Sequence, residues 1–254
     1  MLSILGPAKT MDTSPHGITE SHTLPQYKDR AEELVEQLQQ FTIPQLKSLM
    51  QVSDKLATLN FERYMQWRRS YTAEEGQQAI LAFSGAVFNG LQARSLSEED
   101  LQFAQDHIRL LSGLYGVLRP LDLILPYRLE MGSKLPNRKG KNLYEFWKDI
   151  IPEKTAEVTC RQDTQVLINL ASNEYFRSID PGSFPHTIIT PVFKEANGTG
   201  FRNVTIYAKK ARGMMLRFII QNRINEPEYL KAFDDEGYYY NNDLSNTKEW
   251  IFCR

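Results

Sequence analysis

The chain has 254 residues, 41% hydrophobic and 24% charged, with a formal net charge of -1. That length supports a sizeable core without disulfide or metal staples, and the composition excludes a disordered chain. Near-zero net charge excludes a polyanion binder acting through overall charge, so any phosphate site must come from local segregation of charge.

Leu2–Leu5 is a short apolar run stopped by Gly6-Pro7 and predicts an opening strand. The first ten residues lack the basic start and apolar length of a signal peptide. No run approaches the ~20 apolar residues of a membrane span. The expectation is a cytoplasmic protein with no membrane partner. Cys160 and Cys253 are the only cysteines, without a CxxC pair or a histidine at ligand spacing. Reduced thiols fit better than a disulfide framework or a structural zinc site.

Residues 25–40 predict an amphipathic helix through Leu34, Val35 and Leu38. Thr42, with Pro44 just behind it, starts a second helix, and Ser53 caps a third that runs through Leu56, Leu59 and Tyr64 to about Arg68. Thr72-Ala-Glu-Glu75 is a capping-box pattern, and residues 79–87 read mostly as strand. Ser97 starts a helix with Leu101, Ala104, Ile108 and Leu111 on its buried stripe, broken by Gly113, Gly116 and Pro120. Asn142 and Glu145 mark a further helix start.

Residues 166–170, 188–193 and 201–207 predict strands. Residues 208–223 predict the last long helix, and 238–240 and 250–252 two short strands. No repeat, low-complexity tract or linker divides residues 1–254, which predicts one compact domain. Helices and strands alternate without a regular βαβ rhythm. The expected fold is mixed α/β (α+β), with a mixed sheet flanked by helices rather than a Rossmann-type sheet.

Charge is uneven along this order. Residues 207–223 carry Lys209, Lys210, Arg212, Arg217 and Arg223 and no acid. Ala211, Met214, Met215 and Phe218 share one side of the helical wheel, and the basic residues spread over the opposite arc. Leu216, Ile219 and Ile220 intrude on that arc, which predicts a well-buried helix with part of its basic face open. Gly213 costs about 1 kcal/mol relative to alanine in a helix and predicts a close approach to the backbone. Residues 119–141 are also basic, and those after 225 are acidic. Each stretch alone is better explained by a solvated face.

Three motifs carry possible phosphate chemistry. Leu49-Met-Gln-Val-Ser-Asp-Lys-Leu-Ala57 follows the hydrophobic frame of a nonspecific DNA-binding helix-hairpin-helix, placed within about 43–68. Such a hairpin offers backbone N–H groups and a nearby cation, here Lys55, to a phosphate. Gln51 and Ser53 stand where glycines are usual, and a plain helical hairpin is the competing reading. Next, Arg119, Arg128 and Glu130 lie in a proline-bracketed, glycine-ended loop. Arg128 either binds phosphate or pairs with a carboxylate. Last, Gly6-Pro-Ala-Lys-Thr10 follows a strand but lacks the full phosphate-loop pattern. His16, His22, His107 and His186 are scattered, and no metal ligand set is read from them.

Together these strings resemble the YaaA peroxide-stress proteins of bacteria. The matching segments are Pro7-Ala-Lys-Thr10, Ser53-Asp-Lys-Leu-Ala57, residues 82–91 and 111–132, Leu143-Tyr-Glu-Phe-Trp147, Asn169-Leu-Ala-Ser172, Pro191-Val-Phe193 and Tyr207-Ala-Lys-Lys-Ala-Arg-Gly213. The resemblance implies the family's own mixed fold, a helix-hairpin-helix and a positively charged cleft. It further implies binding of double-stranded DNA without strong sequence preference, and a role in limiting peroxide damage and the free iron that feeds it. Three positions depart from the family's usual residues: Gly6 stands for serine, Ala86 for aspartate and Phe88 for tyrosine.

The expected DNA-binding residues are Lys9, Ser53, Lys55, Arg119, Arg128, Lys209, Lys210, Arg212 and Arg217, lining one cleft, with no cofactor and no metal. The alternative is an enzyme acting on a nucleotide or nucleobase in the same cleft, using Glu130, Asn169, Ser172 and Glu174.

Overall fold

The computed structural model describes residues 1–12, 14 and 19–254; His16 lies outside them. Strand β1 (Leu2–Leu5) is buried throughout, as a strand covered on both faces must be. The short β2 (Thr10–Met11) follows it. Helix α1 (Lys28–Gln39) buries the predicted stripe of Ala31, Leu34, Val35 and Leu38.

Helices α2 (Ile43–Met50) and α3 (Asp54–Gln66) form the expected pair across a turn at Gln51-Val52. Thr42 N–H donates to Gln45 Oε1 at 2.8 Å, fixing the entry to α2. Gln51 ends α2 in the left-handed region (φ 52°), where glycine is the usual residue. Ser53 Oγ then accepts the Leu56 N–H at 3.4 Å and starts α3.

Thr72 does not open a helix. Its N–H donates to the Glu75 carboxylate at 2.9 Å and its carbonyl accepts the Glu75 N–H at 3.2 Å, closing a turn before β3 (Gln77–Gln78). The predicted strand at 79–87 is instead helix α4 (Ala79–Ala82), strand β4 (Phe83–Ser84) and the start of helix α5 (Ala86–Leu91). Ala79 through Phe83 are all buried. An unbroken apolar run carries no period that separates helix from strand.

Helix α6 (Glu98–His107) starts at Ser97, as expected, but stops four residues before Leu111. The chain passes straight into β5 (Ile108–Ser112), every residue of which is buried. Ile108 and Leu111 fit a helical stripe, yet pairing along buried β1 captures them as strand (Ser3 opposite Ile108, Leu5 opposite Leu110). Gly116 (φ 72°) allows the reversal into β6 (Gly116–Leu118).

Strand β7 (Leu123–Ile124) and helix α7 (Leu143–Trp147) follow, the latter capped by Asn142 Oδ1 on the Glu145 N–H at 3.0 Å. Helix α8 (Ile151–Cys160) has no counterpart among the predicted elements. Its buried stripe of Ile151, Thr155, Val158 and Thr159 is half threonine and gives a weak apolar signal. The remaining elements are β8 (Val166–Asn169), α9 (Asn173–Phe176), β9 (Thr187–Asn197), β10 (Gly200–Arg202), α10 (Thr205–Gln221), β11 (Tyr239–Tyr240) and β12 (Glu249–Cys253). The strand predicted over 201–207 ends at Arg202, and α10 takes its last three residues.

Among the described residues, the main sheet has eight strands in the order β11-β12-β9-β8-β1-β5-β6, with β10 paired to β9. Strands β12, β9, β8, β1 and β5 are mutually parallel, while β11, β10 and β6 are antiparallel. The fold is thus a mixed sheet flanked by helices, α+β in class. From β1 the chain winds one way, to β5 and β6. It then returns to β8 on the other flank of β1 and works outward to β9 and β12. The winding direction reverses between β1 and β8.

Helix α10 crosses α5 at two glycines. A Cβ on Gly213 would lie 1.8 Å from the Val87 carbonyl oxygen, and one on Gly90 would lie 2.1 Å from that of Lys210. The close backbone approach expected at Gly213 is therefore made by α5.

Candidate functional site

In open sheets with parallel cores, ligands bind beyond the carboxyl ends of the strands where the winding reverses. Here that position lies past Leu5 of β1 and Asn169 of β8. It holds a cleft of about 870 Å³, walled by residues 6–10, 84–87, 127–130, 172–175 and the start of α10.

The first wall is a carboxylate held between two cations. Glu130 Oε2 sits 2.6 Å from Lys9 Nζ, and Glu130 Oε1 accepts from Arg128 Nη2 at 2.9 Å. Arg128 thus both pairs with a carboxylate and faces the cleft. Its Nε is buried and has no hydrogen-bond partner among the described residues. Tyr64 Oη, from the end of α3, donates to the Arg128 carbonyl at 2.5 Å and ties α3 to this wall. Burial pushes the Tyr64 phenol well above its ordinary pKa, so it stays a neutral donor.

A second wall follows β8. Asn169 Oδ1 accepts the Ala171 N–H at 3.1 Å, and its Nδ2 donates to Thr190 Oγ1 at 3.2 Å, shaping the loop that leads to Ser172. Glu174 Oε1 accepts the Gly132 N–H at 2.8 Å, linking the second wall to the first. Tyr175 closes the floor; burial raises its phenol well above the ordinary value and keeps it uncharged.

Helix α10 is the third wall. Its first turn lies on the cleft through Thr205 and Ile206, with Asn203 just before it. Val204 at its N-cap offers no side-chain cap, so backbone N–H groups of the first turn remain open to a ligand. Lys209 and Arg212 follow at helical spacing and also line the cleft. Neither has a carboxylate partner among the described residues. Burial lowers the Arg212 pKa, although a guanidinium remains charged at neutral pH. The lining therefore sets four cations against two carboxylates.

Of the nine expected residues, Lys9, Arg128, Lys209 and Arg212 meet in this cleft. The other five lie outside its lining, for identifiable reasons. Ser53 caps α3. Lys55 is exposed on that helix. Arg119 donates to the buried carboxylate of Asp122 at 2.8 Å and to the Leu24 carbonyl at 2.9 Å. Lys210 pairs with Glu236. Arg217 Nη1 donates to the Leu91 and Gln92 carbonyls at 3.1 Å and closes the end of α5. One face of α10 cannot point all four of its cations the same way, and an acid or open carbonyls hold the two that point elsewhere.

Sequence reasoning missed Asn203, Thr205 and Ile206, because it read that segment as strand. The signal available was Asn203 and Thr205 just ahead of a basic helix, a common helix-start composition. Two of the three family departures, Gly6 and Ala86, line the cleft. A Cβ on Gly6 would meet Tyr175 Cδ2 at 3.4 Å, an ordinary contact. Phe88 is buried beside Phe83, with ring centroids 5.5 Å apart.

Comparison with known families matches residues 1–244 to the peroxide stress protein YaaA. The chain belongs to the YaaA family. Its family-like strings now have places: Pro7–Thr10 lies on the first wall, 169–172 leads into the second, and 207–213 runs along the third. Among the described residues of this YaaA-family chain, no helix is long and apolar enough to cross a membrane. No group of three or more His, Cys, Asp or Glu among them is placed to hold a metal ion.

Proposed function

We propose that this peroxide stress protein binds double-stranded DNA largely without sequence preference, and by doing so helps limit iron-dependent oxidative damage in the cytoplasm. The observation that carries the reading is the convergence of Lys9, Arg128, Lys209 and Arg212 on one cleft, two of them without an acid partner among the described residues. Contacts of this kind hold phosphates and position a duplex without reading bases. The α2–α3 hairpin supports the same reading. Gln51 adopts the left-handed turn, Ser53 starts α3, and Lys55 stands exposed on its first turn. That arrangement suits a helix-hairpin-helix docking one strand through backbone amides.

The test is duplex binding by fluorescence anisotropy across 50–300 mM salt (a range of roughly that width resolves the slope), comparing wild type with Lys55→Ala and Arg212→Ala. Each phosphate that a variant no longer neutralises flattens the log–log slope by about 0.9. A slope near zero, or no duplex binding at low salt, overturns the reading. A second reading, an enzyme acting on a nucleotide or nucleobase, is favoured by two carboxylates in the same cleft, Glu130 beside Lys9 and Arg128, and Glu174. Release of base or phosphate from DNA, abolished in Glu174→Gln, would decide for it.

A further inference from the structure

The cleft and its proposed partner differ in scale. A volume of about 870 Å³ falls within the roughly 300–1,000 Å³ that takes one small molecule. Stacked base pairs do not enter such a space; a duplex rests on its rim. What does fit is one nucleotide, and the cleft is zoned for one. The α10 end offers open N–H groups, Lys209 and Arg212 for a phosphate. The other walls offer carboxylate oxygens of Glu130 and Glu174, both anchored by other groups, and the guanidinium of Arg128. Such mixed donors and acceptors match the edge of a base or the hydroxyls of a sugar.

The lip of the cleft carries a further feature. Ile206, on the first turn of α10, is 63% exposed. Tyr207 beside it is also exposed and lies under the Arg254 guanidinium. An isolated exposed apolar residue needs no explanation. A branched apolar side chain three residues from Lys209, on the mouth of a cationic cleft, has the placement of a wedge that enters a base stack.

We infer that the cleft takes one nucleotide turned out of a duplex, with its phosphate at the N-terminus of α10 and Ile206 filling the vacated place in the stack. This rests on the DNA-binding reading above. Extrusion is easiest at a mispaired base, so a mismatched duplex is the natural probe.

The experiment uses the full chain and a duplex with 2-aminopurine in a mismatched pair, and saturation is confirmed by anisotropy. Wild type raises the 2-aminopurine emission about threefold or more as the base leaves the stack. Ile206→Ala, at saturating protein, abolishes most of that rise. Tyr229→Ala, equally exposed at 65% but away from the cleft, retains it. A rise that survives Ile206→Ala overturns the wedge. A bound duplex with no rise in wild type overturns the inference and leaves DNA binding standing. Free dAMP bound in calorimetry, with no emission change on bound duplex, assigns the cleft to free nucleotides and overturns the duplex source. Failure to bind any duplex overturns the reading on which the inference rests.

Discussion

Replacing Gly213 with alanine adds one methyl group at the tightest point between α5 and α10. The new Cβ would lie 1.8 Å from the Val87 carbonyl oxygen and 2.8 Å from the Leu91 nitrogen, both backbone atoms that no rotamer change can move. Relief at Val87 requires the helices to part by more than about 1 Å, and overpacking of this kind costs about 1–3 kcal/mol or more. The helical preference of alanine over glycine offsets about 1 kcal/mol. Parting the helices also loosens Phe88 and Leu91, buried residues of α5. The net expectation is a destabilisation of about 2 kcal/mol, or about 4–8 °C in Tm for a domain of this size. Thermal unfolding followed by circular dichroism measures it. Gly200→Ala is the control, because no described atom lies within 4 Å of its Cβ position. A Gly213→Ala protein that melts at or above wild type refutes the reasoning. Separation at this crossing would also shift Val87 away from Arg212, both of which line the cleft, so the proposed duplex affinity is expected to fall with stability.

Tyr64→Phe removes the donor to the Arg128 carbonyl and should cost about 1–3 kcal/mol, the range for a buried group left unpaired; urea denaturation at fixed m-value reads it. Asp100 is opposed by burial, but hydrogen bonds from Arg223 and Ser97 prevail and hold its carboxyl below the ordinary range. A depressed carboxyl pKa contributes stability above its unfolded value and loses it as pH falls through the folded one. Tm should therefore drop below about pH 4, and Asp100→Asn should make that acid limb shallower while lowering Tm at neutral pH. Gly6→Ser places its Cβ at ordinary contact with Tyr175. It should change stability by less than about 0.5 kcal/mol, and a Tm shift of many degrees would show the cleft floor to be tighter than drawn.

Several amphipathic helices and their starts were readable, although α8 and the first turn of α10 were not. Leu34, Val35 and Leu38 gave α1 its period, and Ser53, Ser97 and Asn142 announced helix starts that their side chains then made. The reading failed where burial is uniform. Residues 79–83 carry hydrophobicity without a period, and in 108–112 the helical spacing of Ile108 and Leu111 misleads; both stretches are buried, and tertiary pairing decides the outcome. The site was legible as residue types rather than as a place. Lys9, Arg128, Lys209 and Arg212 stood out as basic residues in distinctive strings, but so did Arg119, Lys210 and Arg217. Whether a cation faces a cleft or a carboxylate depends on geometry that sequence does not give: Glu236 reaches Lys210 only in the fold, and Asp122, although three residues from Arg119, pairs with it only because the loop turns there.

The reversal between β1 and β8 has a kinetic consequence. Leu2 pairs with Leu167, so the strands whose ends frame the cleft join only after a very long loop closes. Loop closure of this kind must precede the contacts that reward it, which slows folding. The cleft walls are drawn from five separated stretches of chain, the last of them the start of α10. No early-folding fragment owns the site. During refolding, the proposed DNA binding should recover with the slowest phase of the chain, after helical circular dichroism has largely returned.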